Sequence, residues 1–143
     1  MRNFIFLSMI TLLIGCSAAS AELVDRLNGT VTDLTTGLMW QQAEAGAMTW
    51  TQAQAYCATL KLAQFNDWRL PTAIELRSIV DYSRNYPAIN TGVFPGTISS
   101  GYWSSTPFAL HGNIVWVVNF ADGSVDCDLK SNSLYVRAVR GGP

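Results

Sequence analysis

The chain has 143 residues, 49% of them apolar, and a formal net charge of −1. This is the length of one domain with a leader, and the apolar content supports a packed core without a structural metal. No run of basic residues occurs, so tight electrostatic binding to nucleic acid or to sulfated glycans is not favoured.

The first residues read as a targeting segment. Arg2 supplies a positive start, and residues 4–14 form an apolar stretch too short to span a bilayer as a mature helix. Two exits compete. Ala19-Ser20-Ala21 is a cleavage site that would release a soluble chain from Glu22, and Leu13-Ile14-Gly15-Cys16 has the form of a lipobox with Cys16 as the lipidated residue. The expected organisation is a leader over 1–21, or cleavage before Cys16, followed by a single binding domain over 22–143. Loss of the leader removes Arg2 alone among the charged residues and leaves a balance of −2. Of the three cysteines, Cys57 and Cys127 remain as a pair once Cys16 is lipidated or removed, which favours export without choosing the exit.

Residues 30–33 and 38–42 read as short strands around a turn in which Gly37 suits a positive φ. Asn28-Gly29-Thr30 matches a glycosylation sequon and is read as a turn; residues 43–48 are read as a loop. Residues 49–60 read as the first helix. Thr49 and Gln52 form a capping box, and Trp50, Ala53, Cys57 and Leu60 share one face. Pro71 forces Leu70 extended, so the second helix starts only after residues 68–70. Thr72 and Glu75 make its capping box, and Leu76, Ile79 and Val80 its apolar face. Arg69 and Glu75 flank this turn, either paired across it or solvated.

Residues 83–101 form a long irregular region whose apolar Tyr86, Ile89, Val93 and Phe94 argue that it packs back on the body. Residues 102–106 read as a strand and 108–113 as a loop. Residues 114–120, 124–130 and 134–140 read as a three-strand meander, with turns at Asp122-Gly123 and Ser131-Asn132-Ser133. Alternate apolar residues on both faces of 114–120 mark a central strand.

Catalytic constellations are scarce. His111 is the only histidine, and the chain contains no G-x-S-x-G, no H-E-x-x-H and no Gly-rich phosphate loop. No catalytic residue, cofactor or metal is assigned, and His111 is read as a surface residue. Asp122, Asp126 and Asp128, with Asn119 and Asn132, fit either a calcium site or a solvated outer face that opposes edge pairing; the second reading is preferred. The long region brings aromatic residues near it, with Trp103 expected in the core and Tyr86 and Phe108 exposed. Arg84, Tyr86, Asn90 and Phe108 are the candidate ligand-binding residues.

Trp68-Arg69-Leu70-Pro71-Thr72 with Glu75-Leu76 resembles the C-terminal domain family of Legionella collagen-like adhesins. Matching pieces occur in order: Gly29-Thr30-Val31-Thr32-Asp33; Thr36-Gly37-Leu38-Met39-Trp40; Trp50 with Ala53, Tyr56, Cys57 and Leu60; Phe94-Pro95; Tyr102-Trp103-Ser104-Ser105-Thr106; and Tyr135-Val136-Arg137-Ala138-Val139-Arg140-Gly141. The resemblance covers nearly all of the chain after the leader. The Arg-Leu-Pro-Thr-x-x-Glu element and the closing strand are also distantly similar to formylglycine-generating enzymes. The resemblance implies an α+β, C-type-lectin-like fold, with two helices packed on a mainly antiparallel sheet and a long irregular loop region where ligands bind. It also suggests glycosaminoglycan binding in some relatives, for which this chain lacks the basic surplus.

Relatives carry a cysteine where Ala138 stands. Here Cys127 lies on the preceding strand, and a turn setting 131 opposite 134 places 127 opposite 138. The implied disulfide is therefore Cys57 with Cys127.

The expected function is an exported, non-enzymatic domain that recognises a carbohydrate or protein at the bacterial cell envelope. Alternatives are an enzyme or enzyme accessory of formylglycine-generating-like fold, and a structural envelope lipoprotein with no small ligand. The expected partners are a glycan or a protein and not nucleic acid, with membrane contact only through lipid at Cys16. The location is then outer-membrane lipoprotein, periplasmic or secreted. The adhesin resemblance also raises an oligomer.

Overall fold

In the computed structural model, which describes residues 21–142, two capping boxes set the helix starts. The leader residues, including Cys16 and its lipobox, lie outside the described residues. Helix α1 runs Trp50–Thr59: the Thr49 hydroxyl accepts from the Gln52 N–H, and the Gln52 side chain accepts from the Thr49 N–H at 2.9 Å. Helix α2 runs Ala73–Ser78, where Thr72 and Glu75 repeat the arrangement at 3.1 and 2.8 Å. Each box satisfies donors that a helix start leaves free. α2 stops short of the expected Val80 because the chain is drawn into the long loop; Asp81 N–H donates to the Ala88 carbonyl at 2.9 Å.

Among the described residues, nine strands form two sheets. The first contains β1 (Leu23–Asp25), β2 (Thr30–Asp33), β3 (Leu38–Gln41) and, as the far edge, the C-terminal strand β9 (Val139–Gly141), all antiparallel. Between β2 and β3, Gly37 has φ +75°, as the turn requires. The second sheet has the order β4 (Ala47–Met48), β8 (Leu134–Tyr135), β5 (Gly101–Pro107), β6 (Ile114–Asn119) and β7 (Val125–Leu129). Within it only β5 and β8 run parallel. The protein is thus α+β, with two small helices and two mostly antiparallel sheets.

The expected meander is corrected by this topology. β6 and β7 do form a hairpin around Asp122-Gly123. The run 134–140 does not continue it: it divides into β8, beside β5, and β9, in the other sheet. Arg137 between them explains the division. Its guanidinium is fully buried and donates to the carbonyls of Gln41, at 2.9 Å, and Gln42, and to the Thr97 hydroxyl at 2.9 Å. Ala138 C=O accepts from Gln41 N–H at 2.9 Å in the same place. These bonds hold the segment to the end of β3 and away from β7. β4, in a stretch expected to be a loop, is pinned by the Trp103 indole N–H, which donates to the Met48 carbonyl at 2.7 Å.

Alternation along β5 and β6 divides the core. Tyr102 and Val118 join Trp40, Leu76, Ile89, Phe94 and Phe120 in one buried cluster. Trp103, Val115 and Val117 join Ala53, Cys57, Trp68, Leu70 and Ala138 in another. β6 is therefore buried on the face of Val115 and Val117 and, at Val118, on the other, where Ile114 and Trp116 stay half-buried. The long loop packs back through the fully buried Ile89 and Phe94.

The implied disulfide is not formed. Cys57 and Cys127 are free thiols. Cys127 lies directly across the ladder from Trp116, so its side chain leaves the sheet on the face opposite Val115 and Val117, which pack with Cys57. Cys127 also lies beside β6 and not beside Ala138. Burial pushes the Cys57 thiol up to about 12, where it is inert.

Candidate functional site

The long loop begins where α2 ends, and a groove of about 560 Å³ lies there, lined among others by Leu23, Arg77, Ile79, Tyr82 and Asn90. Ala73 and Leu76 form the buried stripe of α2, so the next position, Arg77, faces out. Asp81 shapes the loop. One of its carboxylate oxygens accepts from the Ser83 N–H at 3.0 Å and from the Ser83 hydroxyl; the other accepts from Arg84 Nε at 2.9 Å. The Ser83 hydroxyl, aided by the Ser83 N–H and Arg84, holds this carboxyl below its ordinary range against the opposing effect of burial.

The loop presents two aromatic rings to solvent, Tyr82 at 64% and Tyr86 at 74% exposure. Both are fixed by their surroundings. Tyr86 has φ +49°, a region an aromatic residue seldom adopts, and its N–H is held by the Ala121 carbonyl at 2.7 Å. Tyr82 lies against the β6–β7 turn. A Cβ at Gly123 would fall 2.9 Å from the Tyr82 ring and 2.6 Å from Val80 Cγ1, and Gly123 has φ +82°. Asn90 uses its side-chain oxygen to accept from Gly92 N–H at 2.9 Å, which leaves its amide N–H groups for the groove.

The four candidate residues do not form one site. Arg84, Tyr86 and Asn90 share the loop, with Asn90 in the groove wall and the other two beyond it. Phe108 is elsewhere. Gly101 pairs with Asn119 at the loop end of the β5–β6 ladder and Pro107 with Val115 at the other, a separation of roughly 20 Å at strand rise. Phe108 is half-buried there, edge-on to Trp116 at 5.2 Å and stacked with the exposed His111 at 6.1 Å. Arg77, Tyr82 and Ser83 complete the groove and were not among the expected residues. Arg77 had a signal, since it follows the apolar Leu76 by one position, and Tyr82 had one as an aromatic residue beside the long region; Ser83 had none beyond ending a helix.

The arginines do not gather into a basic patch. Arg69 makes a two-point pair with Glu75, both bonds at 2.7 Å, and Arg140 pairs with Asp67 at 2.6 Å. Arg84 pairs with Asp81 and Arg137 is in the core. Arg77 has no acidic partner among the described residues.

The Arg69–Glu75 pair lies in a second recess, of about 660 Å³, beside Leu38 and the exposed Ile74. Burial raises the Glu75 carboxyl, but Arg69 and Thr72 outweigh it, and the net position is below the ordinary range. As both helix cap and ion-pair partner, Glu75 is structural. The groove at Arg77 and Tyr82 offers a stacking surface with polar groups free to bond, and it is the better candidate. Among the described residues no group of three His, Cys, Asp or Glu side chains is placed to hold a metal, and no helix is long and apolar enough to cross a membrane.

Curated proteins include no match to the chain. The family model of the Lcl C-terminal domain matches residues 29–140. The matched span starts at the Gly29 turn, takes in both capping boxes, the α2 and loop residues of the groove and the buried Arg137, and ends in β9. The chain belongs to the Lcl C-terminal domain family.

Proposed function

We propose that this domain is an exported, non-enzymatic binding module of the bacterial cell envelope, and that the groove beside α2 takes a carbohydrate or a peptide segment. One observation carries the reading: Tyr82 is 64% exposed yet braced by Gly123, next to Arg77, which has no acidic partner among the described residues. A preoriented, exposed ring with a free cation and amide beside it suits stacking on a sugar face or anchoring a protein contact. The family's association with adhesin-like collagen-like proteins agrees with a binding role. A C-type-lectin-like arrangement agrees with a C-terminal strand that closes the first sheet and a long strandless loop beside the groove. The lipobox at Cys16 makes lipid anchoring the preferred exit over cleavage after Ala21.

A thermal-shift panel of neutral polysaccharides, peptidoglycan fragments and envelope-protein peptides tests the binding role. A ligand at a hundred times its dissociation constant adds ~2.7 kcal/mol, several degrees for a domain of this size. The shift is expected with one ligand class and is lost in Tyr82→Ser and Arg77→Ser. A shift that survives both substitutions would remove the groove from the site, and a flat panel would count against a glycan. Fatty-acid labelling that depends on Cys16 checks the anchor.

A further inference from the structure

β7 is the outer strand of its sheet, paired with β6 from Val118↔Val125 to Ile114↔Leu129. At the two ends of this ladder, Asn119 N–H donates to the Ser124 carbonyl and Lys130 N–H to the Asn113 carbonyl. Bonded and non-bonded pairs alternate in an antiparallel ladder, so the even-numbered residues of β7 bond to β6. Residues 125, 127 and 129 therefore turn their N–H and C=O groups outward.

Three of these outward groups are closed from within the chain. Asp126 Oδ1 accepts from the Cys127 N–H at 2.8 Å, and Asp128 Oδ1 accepts from the Leu129 N–H at 2.7 Å. The Leu129 carbonyl accepts from Asn132 N–H at 2.9 Å, and the Asn132 amide donates to Asp128 Oδ1 at 2.6 Å. Val125, Cys127 and Leu129 otherwise form a partly exposed apolar row along the strand, continued on β6 by Ile114 and Trp116. An outer strand with such a row and open donors is a template for another strand.

We infer that Asp126 and Asp128 hold the β7 edge closed against a second copy of this chain, the partner the edge otherwise fits. Self-pairing must be antiparallel about a two-fold axis. Centred on Cys127, it sets Asp126 opposite Asp128 of the second copy, twice. Centred on residue 126 or 128, it sets that aspartate opposite its own equivalent. In each register the aspartates fall in non-hydrogen-bonded pairs, where side chains are closest and like charges repel. The same carboxylates thus occupy the outward donors and reject the copy. This inference is independent of the groove and of lipidation.

The test uses the mature chain, with light scattering after gel filtration and a short bismaleimide to capture facing Cys127 thiols; Cys127→Ser is the control. Wild type is expected to be uncaptured at Cys127. D126T/D128T is expected to dimerise at least about tenfold more tightly and to be captured. D126K/D128K, which restores like charge, stays uncaptured alone but forms a captured pair with wild type. A folded D126T/D128T that behaves as wild type would overturn the inference, as would wild type captured equally well. If the threonine variant does not fold, the lysine mixture decides: a captured heterodimer supports the inference and its absence overturns it.

Discussion

Replacing Arg137 tests how the two sheets and the long loop are joined. Its guanidinium is fully buried and, among the described residues, lies without a carboxylate partner, bonded to two carbonyls and the Thr97 hydroxyl and stacked over Phe94 at 4.6 Å. Burial drives its pKa down from 12.5 to about 10, which corresponds to roughly 3 kcal/mol for keeping the charge inside. Arg137→Met removes that cost but strands the two carbonyls, at about 1–3 kcal/mol each, so the net change runs from about 1 kcal/mol gained to about 3 kcal/mol lost. Arg137→Lys retains a buried cation and cannot reproduce the fork, so it loses roughly 3–5 kcal/mol. Lysine is thus expected to be worse than methionine, against ordinary similarity. Urea unfolding at neutral pH measures both. Arg137 is charged in folded and unfolded chains there; its burial penalty would be relieved only as pH rises through about 10. A lysine variant as stable as wild type, or more stable than methionine, would refute the account.

Glu75 is held below its ordinary value of 4.5 when folded. Its contribution is therefore present above that pH and lost as pH falls through the lower, folded value. An acid titration of stability should show this loss in wild type and not in Glu75→Gln, which costs about 1–2 kcal/mol at neutral pH. Gly123→Ala must place a methyl group 2.6 Å from Val80 Cγ1 at φ +82°; it should cost about 1–3 kcal/mol by thermal unfolding and weaken any ligand that contacts Tyr82. Non-reduced mature protein should yield one readily labelled thiol, Cys127, when native and a second, Cys57, on unfolding. No thiol in the unfolded, non-reduced chain would restore the disulfide.

Features governed by a few neighbouring residues were legible in advance. Thr49 with Gln52 and Thr72 with Glu75 needed only spacing three, because a cap is satisfied within one turn. Pro71 acts on Leu70 through sterics alone, and Asp122-Gly123 shapes its own hairpin. The apolar residues on both faces of 114–120 marked a strand inside its sheet, between β5 and β7, because pleating is local.

The tertiary structure decided where those pieces meet. Apolar periodicity treats 134–140 as one strand; bonds from Arg137 to a carbonyl 96 positions away divide it between sheets. The resemblance and an assumed 127–138 register paired Cys57 with Cys127, yet the ladder places Cys127 across from Trp116, on the opposite sheet face. Arg84, Tyr86 and Asn90 share a loop, while Phe108 is carried to the far end of β5. Composition and spacing determine which elements form, because their energies come from near neighbours. Register and burial between distant segments determine the site, because a pattern in one strand contains no information about which strand will lie beside it.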